Sequence, residues 1–552
     1  MQFRLASWFS VSTVSLFLGL AYFFWHGKYG FSDTDQGFIL ALSWRIMNGE
    51  IPYLDFIYVR PPLTLYLHTL SQYFPSPILF DRLLFYVMIS VSVWVCTRTL
   101  QDFFDFQPIG ISPAIFAAIA FICSAHNFPP MAWHTVDGIF WSSLGLYAIG
   151  RAQKEQWTTS FLGLFLLLLA ALSKQAFYPM LPAGMVLCGL LHGWRHAMYA
   201  SGAIITGVIL LVLSVWTFFP DYYSAFLLQT SKSSSLADLW EKGFLSYGKA
   251  LIFIAIPFWL GWRIQNRWIF PKPWNNLPGF LSWGLFLGLI GLHLYKVLST
   301  QEYAAPGYGF SQAFFLIALW MGIKGSWINT RANAMLLAQL AVSWCVSVSW
   351  GYNMPMLYFT PMLFAFMFIL YDQFDFRVPR YFFGIMAILI LWVFTFTNHY
   401  HYRDGVRPEL THELSEPFPV LGGIYTSQQN AAKLTELKRL IKGNEGSYTV
   451  LPGMPVAHYL SQTHNPLDSD WTHDGETLYE IYGERLLTQL TEETEIILIE
   501  KDQLTRVMRE DKFGSSLTRQ VLKSAELIEA GEYFDTYSFN QDFIQKKLAR
   551  NP

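Results

Sequence analysis

Two carboxylates, Asp33 and Asp35, stand within a turn or two of an apolar run from Leu5 to Trp25. About twenty apolar residues suffice to cross a bilayer, so these acids are expected at the lipid–water boundary. A carboxylate held there can take a proton from a water-borne hydroxyl while the other reactant stays in lipid. Asp35 opens an amphipathic segment that closes at Asn48–Gly49, and an Asp at a helix start also suits an N-cap. The helix dipole favours its ionised form in either role. A proline-framed connector, residues 51–62, carries Asp55, readable also as an ordinary loop acid, and Arg60, whose planar fork matches phosphate.

Further candidates come later in the chain. Lys174 ends an apolar run, where a lysine either snorkels to the interface or offers a point charge to a phosphate. His134 and Asp137, in WHTVDG, are three residues apart and can share a helix face, but two ligands make a weak metal site. Glu302, in QEYAAPGYGF, is an outer-loop acid without a basic neighbour. Asp55, His134, Asp137 and Glu302 are the candidates for acceptor binding. No metal or other cofactor is expected.

The elements that must place these residues are membrane helices. The chain of 552 residues is 53% hydrophobic and only 14% charged, against about 25% charged in soluble domains. Apolar runs give about thirteen candidate spans, near 5–25, 79–97, 109–125, 136–150, 159–174, 177–192, 197–219, 247–262, 279–298, 309–323, 333–350, 355–371 and 381–397. The first lacks a small-residue cleavage site and is expected to be retained. Lys and Arg gather in alternate loops: Arg151 and Lys154, Arg195, then Arg263, Arg267 and Lys272, Lys324 and Arg331, Arg377 and Arg380. The loops near 126–135, 299–308 and 351–354 have none. The bias predicts a cytoplasmic N-terminus and an outer C-terminal segment. Lys28, Arg45 and Arg60 in the first outer loop, residues 26–78, and Lys232 and Lys242 near 221–246, run against it. Within that first loop, Gln36–Met47 and Leu63–Tyr73 read as helices along the membrane surface, with Leu63, Leu67 and Leu70 on one face.

Composition changes near Thr397. Residues 1–398 read as a transmembrane domain and 399–552 as a small extracytoplasmic α/β domain. In the latter, Ser427 caps a helix burying Leu434, Leu437, Leu440 and Ile441. Tyr448–Leu451 and Glu495–Ile499 read as strands, Glu476–Leu490 as a helix, and Glu526–Phe539 as a hairpin turning at Ala530–Gly531. Cys96, Cys123, Cys188 and Cys345 all fall in spans, so no disulfide framework is indicated.

The order of an Asp after the first span, WRIMNGEIPYLDF (Trp44–Phe56) and RPPL (Arg60–Leu63) resembles the first outer loop of bacterial GT-C membrane glycosyltransferases. Within them it is similar to the protein-mannosyltransferase-like and aminoarabinose-transferase-like branch. ALSKQ (Ala171–Gln175) resembles that branch's short Thr/Ser–Lys motif, and LPGMPVAHYLSQTHNP (Leu451–Pro466) resembles a segment in the outer domain of some members. The resemblance implies a GT-C-like fold at the plasma (inner) membrane. It also implies transfer of a sugar from a polyprenyl-phosphate carrier to a glycan, lipid or protein acceptor on the outer face. The family's loop Asp maps to Asp35. The acidic residue that often follows it is Gln36 here, which speaks against a two-carboxylate or metal role for that pair.

Other classes fit less well. An O-antigen ligase or polymerase would place its main loop late in the chain, and a transporter or flippase would place ionisable residues at mid-membrane. A non-catalytic scaffold would keep the architecture without the chemistry. The glycines form no phosphate-binding loop of the nucleotide type, and a net charge of −2 gives no field for nucleic acid.

Overall fold

A computed structural model describes residues 2–104, 106, 111–126, 129–153, 157–232, 245–252, 312, 315–316, 318–319, 330–350, 355, 358–365, 367, 401–442, 444, 447–510 and 514–539. The apolar runs fold as α1 (Gln2–His26), α4 (Pro77–Phe103), α5 (Pro113–His126), α6 (His134–Arg151), α7 (Trp157–Ser173), α8 (Met180–His192), α9 (Trp194–Phe218) and α11 (Thr330–Ser349). Between them come α2 (Asp35–Met47), α3 (Leu63–His68) and α10 (Pro220–Lys232). Among the described residues, α4, α9 and α11 are long and apolar enough to cross a membrane. The expected spans at 279–298 and 381–397, most of those at 247–262 and 309–323, part of that at 355–371, and Glu302 lie outside the described residues.

α1 packs on α4 and α5, and α6 packs on α7. Gly145 and Gly163 let α6 and α7 approach closely, since a Cβ on Gly145 would lie 2.8 Å from the Gly163 carbonyl. Small residues at such crossings give the dispersion contact that holds helices together in lipid.

The first outer loop departs from a simple surface helix pair. Residues Gln36–Ser43 and Arg45 of α2 are all buried, because the C-terminal segment covers the face that the bundle leaves open. Gly37 lies so near Val456 that an added Cβ would sit 2.2 Å from the valine Cβ, and the Phe38 and Trp471 rings meet at 5.0 Å. α3 runs only to His68 and tightens into a 3₁₀ turn over Thr69–Tyr73. Its buried residues are Thr64, Leu65 and His68, while Tyr66 and Leu70 are exposed, as is Tyr73 in the turn.

The C-terminal segment pairs β1 (His412–Glu413) with β2 (Tyr425–Thr426) and forms a four-stranded sheet in the order β3–β4–β6–β5, built from β3 (Tyr448–Leu451), β4 (Ile496–Glu500), β5 (Glu526–Ala530) and β6 (Phe534–Ser538). β3 and β4 are parallel and buried throughout, which explains their unbroken apolar runs. α12 (Gln428–Ile441) is capped by Ser427, whose hydroxyl accepts from Asn430 N, and buries Leu434, Leu437, Leu440 and Ile441. The helix expected from Glu476 begins instead at Tyr479, after a separate turn over Asp474–Thr477. Leu478 breaks it with φ +48°, and Asp474 is pinned elsewhere by Ser516 N and Oγ, each at 2.8 Å.

This unit does not close its core alone. Phe31, Leu40 and Ala41 of the first loop and Ile78 of α4 share a buried cluster with Leu434, Leu437, Tyr448, Val450 and Phe534. Backbone hydrogen bonds join Gly30 N to Tyr425 O and Tyr425 N to Lys28 O. Packing therefore continues across the position where composition changes.

The contact at Gly37 is testable. Gly37→Ala should lower stability by about 1–3 kcal/mol through overpacking, and Val456→Ala added to it should recover part of the loss. Melting of the purified chain in detergent measures both; an unperturbed Gly37→Ala would refute the close approach.

Candidate functional site

Asp35 is placed by a buried arginine of α4. Arg82 donates to the carbonyls of Gly27 (2.7 Å), Tyr29 (3.1 Å) and Gly30, and to Gln36 Oε1 (2.8 Å). Carbonyls at a helix C-terminus lack intrahelical partners, and one guanidinium gathers those that follow α1 and fixes the start of α2. Gln36, at the position where the resembling family often has an acid, is thus a structural residue here.

Thr34 occupies the cap position of α2, so Asp35 is its first residue and not its cap. The Asp35 carboxylate turns to the C-terminal unit instead. Tyr402 OH donates to Oδ2 at 2.7 Å, and Arg403 Nη1 lies 3.0 Å from the same oxygen. Arg403 also donates to the Thr34 hydroxyl. Both described contacts fall on Oδ2, leaving Oδ1 for a hydroxyl. The side chain is 20% exposed.

Asp33 has a different environment. It pairs with Lys433 of α12, whose ammonium also lies 3.4 Å from Glu500, and all three residues are buried. Against the cost of burial, Asp33 and Glu500 hold the Lys433 ammonium above the usual lysine value. Burial pushes the Glu500 carboxyl up. Asp33 ties the first loop to the C-terminal unit.

Two separate motifs bring cations to the same neighbourhood. Lys174, the first residue beyond α7, donates to Ser349 Oγ at 2.7 Å and Ser349 O at 3.3 Å, at the end of α11. Its neighbour Gln175 donates to Val59 O at 2.7 Å, which sets Lys174 beside the connector that carries Arg60. Burial, then the like charge of Arg60, lowers the Lys174 ammonium to about 7, with Glu476 and Asp35 opposing. Arg60 itself is forked onto Glu476, with Nη1 2.7 Å from Oε2 and Nη2 on Oε1. Its guanidinium lies over the Phe38 ring at 5.4 Å.

Three further candidates, Asp137, His134 and Asp55, have described partners within the protein. Asp137 is fully buried, one oxygen accepting from Thr64 Oγ1 at 2.6 Å and the other facing His68 Nε2 at 3.4 Å. His68 Nδ1 lies 2.8 Å from Asp81. Against the cost of burial, Asp81 and Asp137 hold the His68 imidazolium up to about 10, so this triad pins α3 to α4 and α6. The Asp137 carboxylate thus has a described partner on each oxygen. His134 is buried against Tyr58, its Nε2 bonded to the phenol oxygen. Asp55 is exposed and closes its own turn, Oδ2 accepting from Ile51 N at 2.7 Å.

Sequence reasoning missed Tyr402, Arg403, Glu476 and Arg82. Tyr402 and Arg403 follow the last apolar run much as Asp33 and Asp35 follow the first, a usable signal. Arg82 is an arginine inside an apolar run, which itself argues for a dedicated partner. Glu476 carries no signal in its own surroundings.

No family model and no curated protein matches the chain. Among solved structures the chain is similar to the crystal structure of ArnT from Cupriavidus metallidurans in the apo state, with TM-score 0.41 and 12% identity over 98% of this chain and 99% of that one.

The two acids should separate by stability. Asp33→Asn removes one of the two carboxylates holding a buried ammonium and should cost about 3 kcal/mol. Asp35→Asn, in a partly open pair, should cost less than about 1 kcal/mol. Denaturant titration of the two purified variants decides; equal losses would contradict this division of roles.

Proposed function

We propose that the chain is a membrane glycosyltransferase that moves a sugar from a polyprenyl-phosphate carrier to a cell-envelope acceptor on the outer face, with inversion. The observation that carries this reading is the Asp35 carboxylate, steadied on Oδ2 by Tyr402 and Arg403 and open on Oδ1, with Lys174 and Arg60 within its electrostatic reach. The outer placement rests on the Lys and Arg asymmetry, and the carrier class on the loop resemblance.

In this mechanism Asp35 Oδ1 accepts the proton of the acceptor hydroxyl as its oxygen bonds to the anomeric carbon. The bond from that carbon to the carrier phosphate breaks, and the electron pair leaves with the phosphate. A lipid phosphate is a good leaving group and needs no strong general acid. Two cations in a site poor in water can stabilise the charge that develops on it. Attack from the face opposite the phosphate inverts the anomeric centre.

Asp35→Asn is nearly isosteric, so the variant should accumulate normally while transfer falls about 10²-fold or more. In a deletion strain, wild type should restore the mass of the envelope glycan and Asp35→Asn should not. Restoration by the variant would remove Asp35 from the chemistry.

Lys174 predicts a pH limit. With its ammonium lowered to about 7, the cation is present below that pH and is lost above it, so affinity for polyprenyl phosphate should fall as pH rises through 7. The ligand's own second ionisation, near 6, acts in the opposite direction at lower pH. Lys174→Arg should lose the alkaline limb alone, and an identical limb in that variant would exclude Lys174 as its source.

A further inference from the structure

We propose that Glu476 is a carboxylate gate on the donor-phosphate seat: it occupies the fork of Arg60, and the carrier phosphate must displace it to bind. The proposal rests on the reading of Arg60 as a phosphate ligand and adds to it a competitor from the far end of the chain. A carboxylate and a phosphate present the same pair of oxygens to a guanidinium. Glu476 takes both terminal nitrogens of Arg60, so the two ligands exclude each other on that fork.

The pair differs from the structural ion pairs around it. Arg45 and Asp470 are 3% and 2% exposed, and Arg45 is further held by Glu50 and the Leu467 carbonyl. Arg60 and Glu476 are 20% and 19% exposed, open enough for exchange. Arg60 does not need Glu476 to stay in place. Its carbonyl accepts from Tyr53 OH at 2.7 Å and its guanidinium rests on the Phe38 ring.

Glu476 is likewise presented independently of Arg60. It sits on the short turn Asp474–Thr477, which Asp474 anchors to Ser516. Its charge also reaches Lys174, opposing the lowering caused by burial and Arg60. With no donor bound, the carboxylate balances two cations that would otherwise face each other in a site poor in water. When phosphate arrives, one anion replaces another and the local charge is nearly conserved. Affinity then reports the difference between the two anions: the singly charged phosphodiester replaces a carboxylate of equal charge, and a neutral headgroup, which would leave the fork of Arg60 without an anion, is rejected.

The test uses the full chain in detergent and undecaprenyl phosphate as the probe, with binding measured by calorimetry on wild type, Glu476→Gln, Glu476→Asp, Arg60→Ala and the double variant Arg60→Ala/Glu476→Gln. Removing the charge, or shortening the arm so that the fork is not spanned, should tighten binding about tenfold. Arg60→Ala should weaken it, and the Glu476→Gln gain should vanish on that background. The shorter acid keeps the charge, so it decides the matter if Glu476→Gln does not fold. Unchanged or weaker binding in both Glu476 variants, with Arg60→Ala still impaired, overturns the gate alone. A gain that persists without Arg60 also overturns it. Undiminished binding in Arg60→Ala removes the phosphate reading of Arg60, and the gate with it.

Discussion

The whole arrangement depends on one buried guanidinium. Arg82 lies within α4, buried, and spends its donors on the carbonyls that follow α1 and on Gln36. A cation in that position is costly unless partners meet it, and the acceptors that gather on its two terminal nitrogens tie down the chain between α1 and α2. That tie determines where α2 begins, and hence where Asp33 and Asp35 stand. Gly37, two residues on, then has Val456 against it, which seats the C-terminal unit.

The same economy recurs around the first loop. Arg45 joins the end of α2 to Asp470, Lys433 joins α12 to Asp33, and His68 joins α3 to Asp81 and Asp137. Each cation reaches across a boundary between elements. Such ties add little net stability over an apolar contact, but breaking one strands a buried charge. They exact a single docking geometry in a loop that has little regular structure of its own. Between these closed pairs, the contacts of Asp35 and Arg60 are the more open ones, and the proposed site includes both.

Much of the local structure was legible in the sequence. Helix periodicity and apolar length marked α1, α4 to α9, α11 and α12, and short runs of strand-forming residues marked β3 and β4, because these signals lie within a single element. The Asp35 loop was legible for the same reason. Tyr402, Arg403 and Glu476 were not, since their meaning lies in partners about four hundred residues away. Arg45 and Arg60 looked like exceptions to the charge bias of outer loops; both are explained by acids of the C-terminal unit, Asp470 and Glu476, that neutralise them through space. Gln36–Met47 read as a helix lying along the membrane surface because no sequence pattern announces the second surface that buries its other face.

The bond from Tyr402 to Asp35 spans 367 positions in the chain. At about 5–20 residues per second, a ribosome needs on the order of 20–70 s to make what lies between them. During that interval the start of α2 exists without Arg403, Lys433 has not yet reached Asp33, and Gly37 has no Val456 to meet. The nascent protein therefore spends most of its synthesis with acids and arginines exposed that the finished one hides. A chain cut short before residue 401 never gains the partners that cover them, since Tyr402, Arg403, Lys433, Asp470 and Glu476 all lie beyond that point.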